Sequence, residues 1–244
     1  MTSDWRCEKT LPKVSIVKIL PRISASDLFS RKQSYLGISL ENPLFASDSL
    51  KAMLIWASQK FEQCLVVVGD YLARFDEQII TGCDENRAGK RAIKRGDLFI
   101  SQTKEIFDNL PAVKIKLTRW KEHLQADEFI KSKRILGDIF ESDKAFRASV
   151  EYDALSFVER KKKHNQHLAV ETDEALRLCC RYILEEIAVF SSLSERGWGV
   201  ELYPGSELRV LAEVAKGRYP GVPEGLKNRI NVELKIHQRK PRQV

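Results

Sequence analysis

Several signatures that would settle a function at once are missing from this chain of 244 residues. No Gly-x-Gly-x-x-Gly and no Walker-type phosphate loop occurs, so nothing points to a dinucleotide or to ATP. Gly37-Ile38-Ser39-Leu40-Glu41 lacks the second glycine of a Gly-x-Ser-x-Gly nucleophile elbow. None of His123, His164, His167 and His237 follows a strand in a triad-like context, which argues against a serine hydrolase. The five cysteines, Cys7, Cys64, Cys83, Cys179 and Cys180, are odd in number and show no Cys-x-x-Cys spacing. They read as reduced thiols, not as a disulfide framework or a zinc site, and no metal is expected. No apolar run approaches the ~18 residues that a bilayer span needs. Met1-Thr2-Ser3-Asp4-Trp5-Arg6 lacks the basic-then-apolar pattern of a signal peptide, so a cytoplasmic protein without a membrane partner is expected.

What is present is ordinary globular composition, 43% hydrophobic and 31% charged, enough to bury the core of one large α/β domain. That domain is expected to take up residues 1–244, with 1–30 as a leading segment and 239–244 as a basic tail. Lysine and arginine number 41 against 34 acids, giving +7 and a pI near 9.1. This balance suits a polyanionic partner but falls well short of a histone-like DNA binder.

The chain is organised around Ser34 to Asn42, a short apolar run that ends in Gly37-x-Ser39 followed by polar residues. It reads as a buried strand delivering Ser39 to its carboxyl end, where open α/β sheets bind ligands. A glycine two residues earlier permits close approach. Ser39 is the candidate nucleophile; alternatively it only caps the following turn. Before it, Val14, Ile16 and Lys18 alternate as an edge strand would. After it, Ser47 or Asp48 can cap a helix whose Leu50, Met53, Leu54, Ala57 and Phe61 share one face. Leu65 to Gly69 is a β-branched run covered on both faces, which implies a parallel βαβ unit with Ser39 and Asp70 at neighbouring strand ends.

From Asp84 to about Ile106 the pattern is helical, although Gly89 and Gly96 weaken it. Arg87, Lys90, Arg91, Lys94 and Arg95 recur at i, i+3, i+4, i+7 and i+8, so they occupy one sector, either a solvated face or a phosphate contact. Ala112 to Thr118 alternates as a strand with Lys114 and Lys116 on one side. Residues 126–191 are helical and free of proline. Arg160 to Lys163 closes one of these helices, where cations complement the macrodipole, with an RNA contact as the second reading. A further helix starts near Thr172 and carries Tyr182 and Glu186 four apart on an apolar face, so Glu186 must be paired or poised at a cavity. Trp198 to Tyr203 reads as a strand, 209–226 as turn-rich, and Ile230 to Ile236 as a final strand before a basic tail, Arg239 to Arg242. A serine without a histidine can still attack if the acyl donor is already a reactive ester and a nearby carboxylate or phenol relays protons.

These residues together resemble the tRNA-dependent cyclodipeptide synthases. The resemblance is carried by Gly37-Ile38-Ser39 with Asn42 and Phe45, Trp56-Ala57, Phe61-Glu62, the Val66 to Asp70 strand, Phe140, Asp143 and Phe146, Tyr182 with Glu186, and Tyr203-Pro204. It implies a single Rossmann-like domain, a mainly parallel sheet flanked by helices, similar to the catalytic domain of class I tyrosyl- and tryptophanyl-tRNA synthetases. It also implies an aminoacyltransferase that joins two aminoacyl-tRNA substrates into a cyclic dipeptide without cofactor. By resemblance Ser39 takes the first aminoacyl group, Tyr182 and Glu186 hold its amine, and Tyr203 relays protons during cyclisation. Tyr203-Pro204 matches the family branch that carries Tyr-Pro at that motif. Asn42 and Pro204 would face substrate. Tyr35, Gly37, Val67 and Gly69 would line the pocket for a neutral first side chain, and the Arg87 to Arg95 helix would bind tRNA. The other reading is a non-catalytic RNA-binding protein on a synthetase-like fold, since fold does not fix function. The sequence does not give the oligomeric state; a monomer is the expectation.

Overall fold

A computed structural model of the protein describes residues 11–163 and 167–237. Cys7, His164 and the tail 239–242 lie outside the described residues. Strands β1 (Lys13–Leu20), β2 (Gln33–Ile38), β3 (Gln63–Val68), β4 (Ile115–Arg119), β5 (Val200–Tyr203) and β6 (Ile230–His237) form one sheet in the order β1-β6-β5-β2-β3-β4. β1 pairs antiparallel with β6 at one edge, and every other pairing is parallel. β3 shows why: Cys64 to Val68 are buried throughout, so its β-branched run suits a strand covered on both faces.

After β2 the chain crosses through helix α2 (Ser47–Lys60) to β3, whereas β5, on the other side of β2, is reached only much later. The carboxyl ends of β2 and β5 therefore flank a switch point, where parallel sheets open a crevice. α2 packs Leu50, Met53, Leu54 and Ala57 with Leu36 and Ile38 against one sheet face, together with α1 (Ala25–Phe29). The other face carries Tyr35, Leu65 and Val67 against α3 (Arg74–Thr81) and α6 to α8 (Asp127–Ser142, Lys144–Lys163 and Thr172–Glu195). α8 is the central beam. It buries Leu178, Ile183, Ile187, Val189 and Leu193, each stabilising the fold by roughly 1.5–3 kcal/mol. Among the described residues no helix is long and apolar enough to cross a membrane. Cys64, Cys83, Cys179 and Cys180 are free thiols, as expected.

Several local expectations are corrected. Helix α4 (Glu85–Asp108) runs unbroken through both glycines. A Cβ at Gly89 would lie 2.9 Å from the Tyr71 ring and one at Gly96 2.5 Å from the Asp70 Cβ, so these glycines let α4 sit close to the segment after β3. β4 starts at Ile115, not Ala112, because the Lys114 and Ile115 amides turn back onto the Pro111 carbonyl at 2.8 and 3.0 Å. Lys114 thus precedes the strand. α2 starts at Ser47 with Ala46 at its N-cap, where Ser47 or Asp48 was expected. The 209–226 segment holds two short helices, α9 (Arg209–Val214) and α10 (Glu224–Lys227). α9 is capped from afar: the Asp153 carboxylate of α7 accepts the Arg209 and Val210 amides at 3.0 and 2.9 Å. The remaining helix, α5 (Trp120–His123), follows β4 directly.

Candidate active site

Ser39 follows β2, and the Asn42 amide donates to its carbonyl at 3.1 Å, closing a turn with Leu40 and Glu41 at its centre. Alternation along β2 places Tyr35, Gly37 and Ser39 on the face that α8 covers. The Asn42 side chain is committed on both ends. Its Oδ1 accepts the Leu44 amide at 3.0 Å and its Nδ2 donates to the Tyr203 hydroxyl at 3.3 Å. The ends of β2 and β5 are thereby tied across the switch point. A Cβ on Gly37 would meet nothing within 4 Å, whereas one on Gly69 would lie 2.8 Å from the Ile38 carbonyl. Space is therefore open over Gly37, whereas the lack of a side chain at Gly69 lets its amide close on the Ile38 carbonyl at 2.9 Å.

On the opposing helix, Tyr182 and Glu186 lie one turn apart. The Tyr182 ring is held between Phe75, edge-on at 6.3 Å, and Phe157, stacked at 6.1 Å. Ser39, Tyr182 and Glu186 are all half-buried, and among the described residues none of their side-chain polar groups has a hydrogen bond or ion pair. Burial pushes the Glu186 carboxyl up to about 8, and the nearby Glu201, Glu207 and Asp76 charges add to this while Arg229 opposes it. Burial and then the Glu186 charge raise Tyr182 well above its ordinary value, and the same charge helps to raise Tyr203. The carboxylate and both phenols thus share one field. Glu185, the preceding residue, has the opposite fate: Arg74 grips it at 2.8 and 2.5 Å and Trp120 donates to it at 3.1 Å. One acid of the pair is structural and the other is left free.

Other expected positions divide. Tyr35 and Val67, expected to line the first side-chain pocket, are 0% and 1% exposed and so do not touch open space. The Tyr35 hydroxyl donates to Glu201 at 2.9 Å, and Glu201 pairs with buried Arg229, which also holds Glu207 at 3.0 Å. Pro204, expected to face substrate, is buried. On α4, Arg87, Lys90, Arg91 and Lys94 are exposed, while Ala88, Gly89, Ala92 and Gly96 face inward. Arg95 turns inward to Glu77 at 2.9 Å and Glu41 at 3.5 Å. Lys161 is not a solvated end of α7 as its sequence context implies. It is 5% exposed, between Glu41 at 3.1 Å and Asp76 at 3.4 Å.

The family model for cyclodipeptide synthases matches residues 24–195, from before β2 to the end of α8. The chain belongs to the cyclodipeptide synthase family. As a cyclodipeptide synthase it is a tRNA-dependent aminoacyltransferase forming cyclic dipeptides. The matched span includes Ser39, α4, Tyr182 and Glu186, and stops short of Tyr203. Solved cyclodipeptide synthases share the fold. One from Fluoribacter dumoffii is 20% identical with a TM-score of 0.77, covering 95% of this chain and 100% of that one. A Mycobacterium tuberculosis protein, whose structure relates these enzymes to type I tRNA synthetases, is 16% identical with a TM-score of 0.68, covering 93% and 98%. One from Candidatus Glomeribacter gigasporarum, bound to Phe-tRNA, is 13% identical with a TM-score of 0.65, covering 87% and 90%. A sequence search among curated proteins finds no match. The residues that sequence reasoning missed, Asp76, Lys161, Glu201 and Arg229, are buried charges whose partners lie far away in the chain; the only local signal was the Arg160 to Lys163 run.

Proposed function

We propose that this synthase works by ping-pong acyl transfer through Ser39. The serine oxygen attacks the ester carbonyl of the first aminoacyl-tRNA, its proton leaves with the departing ribose hydroxyl, and the aminoacyl group becomes a serine ester. Glu186 and the Tyr182 hydroxyl bind the α-ammonium. A carboxyl poised near neutral pH is well matched to take a proton from that ammonium; the freed amine then attacks the ester carbonyl of the second aminoacyl-tRNA, the ester C–O bond breaks, and the second tRNA leaves as its ribose hydroxyl with the proton shed by the amine. The resulting dipeptidyl ester cyclises when its terminal amine attacks the serine ester, with Tyr203 relaying the proton back to Ser39. The donors arrive already activated, so the chemistry needs no ATP.

What supports this reading is that three half-buried polar groups have no hydrogen-bond partner among the described residues, Ser39 after the end of β2 and Tyr182 and Glu186 on α8, the helix that covers the same sheet face. Asn42 acts by orienting Tyr203. Tyr203-Pro204 supports assignment to the Tyr-Pro branch, and Arg87, Lys90, Arg91 and Lys94 supply an exposed cationic face for tRNA phosphates. Because Tyr35 and Val67 are closed off, the room for the first side chain lies over Gly37 and suits a small neutral residue. The test is expression in a bacterium and mass spectrometry of the medium. Diketopiperazine masses absent from the empty-vector control are expected, and unchanged medium from a strain making folded protein would refute the reading.

A further inference from the structure

Glu41 stands at the centre of the turn that carries Ser39, and its carboxylate is held from two helices at once. Lys161 of α7 approaches it at 3.1 Å and Arg95 of α4 at 3.5 Å. Lys161 also reaches Asp76 of α3 at 3.4 Å, and its ammonium lies 4.7 Å from the centre of the Phe157 ring. That ring is the one stacked on Tyr182. A single buried ammonium thus contacts the turn bearing the nucleophile and the aromatic support of the residue read as binding the substrate amine. Burying a lysine is costly unless its partners are well placed, so the pairing constrains all of these elements to one relative position.

We infer that Lys161 is a positioning residue for acyl transfer: it sets the Ser39 turn, through Glu41, against Tyr182, through Phe157. This rests on reading Ser39 as the nucleophile and Tyr182 as an amine-binding group. Arg95, from the helix with the exposed basic face, closes the same clamp on Glu41 from the other side. An error of an ångström in the attack geometry costs about 10²-fold in rate. Loss of the ammonium should therefore slow the chemistry more than it weakens binding.

The experiment compares wild type, Lys161→Met, Glu41→Gln and the double variant. Each is presented with saturating radiolabelled aminoacyl-tRNA in single-turnover mode, alongside tRNA affinity and a thermal melt. Lys161→Met keeps the apolar stem and removes the charge. Its acylation rate should fall about 10²-fold with tRNA affinity within about twofold, and the double variant should be no slower than the slower single one, because both cut the same link. Wild-type acylation rates in folded Lys161→Met, or singles whose losses multiply in the double variant, would overturn the inference. If Lys161→Met does not fold, Glu41→Gln alone decides: a slowed rate with intact affinity supports the clamp, and a normal rate refutes it. A wild type that no aminoacyl-tRNA labels would overturn the acyl-enzyme reading itself and this inference with it, which is distinct from a labelled wild type and an equally fast variant.

Discussion

Replacing Glu186 by Gln keeps the shape of a group that the fold holds largely protonated. Its carboxyl is raised from 4.5 to about 8, chiefly by burial. Roughly three to four pK units at ~1.4 kcal/mol each would put the cost of ionising it near 4–5 kcal/mol. Glu186 is only half-buried, so screening reduces this to something on the order of 2 kcal/mol. Because the folded value lies above the unfolded one, the folded chain binds the proton more tightly. The stability this confers is present at low pH and is lost as pH rises from about 4.5 through about 8. Wild type and Glu186→Gln should therefore melt together near about pH 5, and the variant should gain on wild type by roughly 4–8 °C by about pH 9 for a chain of this size. Thermal melts across a buffer series read this directly. Product yield at neutral pH should meanwhile fall by about 10² or more, since the arriving ammonium draws out the ionised form of Glu186, which then takes its proton, and Gln has no such form. A variant that melts lower than wild type by a constant amount at every pH would show Glu186 to be an ionised structural partner and would refute the reasoning.

Converting Arg87, Lys90, Arg91 and Lys94 to Ala should weaken tRNA binding and flatten its salt dependence, because each neutralised phosphate steepens the fall of log K with log salt; an unchanged slope would make this face merely solvated. Gly37→Ala should melt normally, since its Cβ would meet nothing within 4 Å, yet lose product as the methyl enters the crevice. Gly96→Ala is the contrasting case, with a Cβ 2.5 Å from that of Asp70, and should lower stability by about 1–3 kcal/mol in a denaturant titration. Tyr35→Ala should shift the cyclic products toward larger first residues than wild type incorporates, as judged by mass spectrometry; an unchanged product set would show that Tyr35 does not limit the first side chain.

The parts of this fold that were legible in the sequence are those governed by local pattern. The β-branched run of β3, the alternation of β6 and the long apolar face of α8 announce themselves, and so do Gly37-x-Ser39 and the Tyr182–Glu186 spacing. What was not legible depends on partners distant in the chain. Gly89 and Gly96 look like helix breakers until Tyr71 and Asp70 are seen packed against them. α9 has no cap in its own sequence because Asp153 supplies one. Lys161 has the context of a solvated helix end, and only the arrival of Glu41 and Asp76 buries it. Glu185 and Glu186 are the same residue type side by side, and their different roles follow from which one meets Arg74.

The central claim is that Ser39 becomes covalently aminoacylated. Wild type and Ser39→Ala are each mixed with radiolabelled aminoacyl-tRNA, quenched in acid, and digested, and the label is traced to a peptide. Label is expected on the peptide containing Ser39 in wild type, with an Ala variant that still binds aminoacyl-tRNA but carries no label. Label retained by the Ala variant, or cyclic dipeptide made by it at the wild-type rate, would contradict the account.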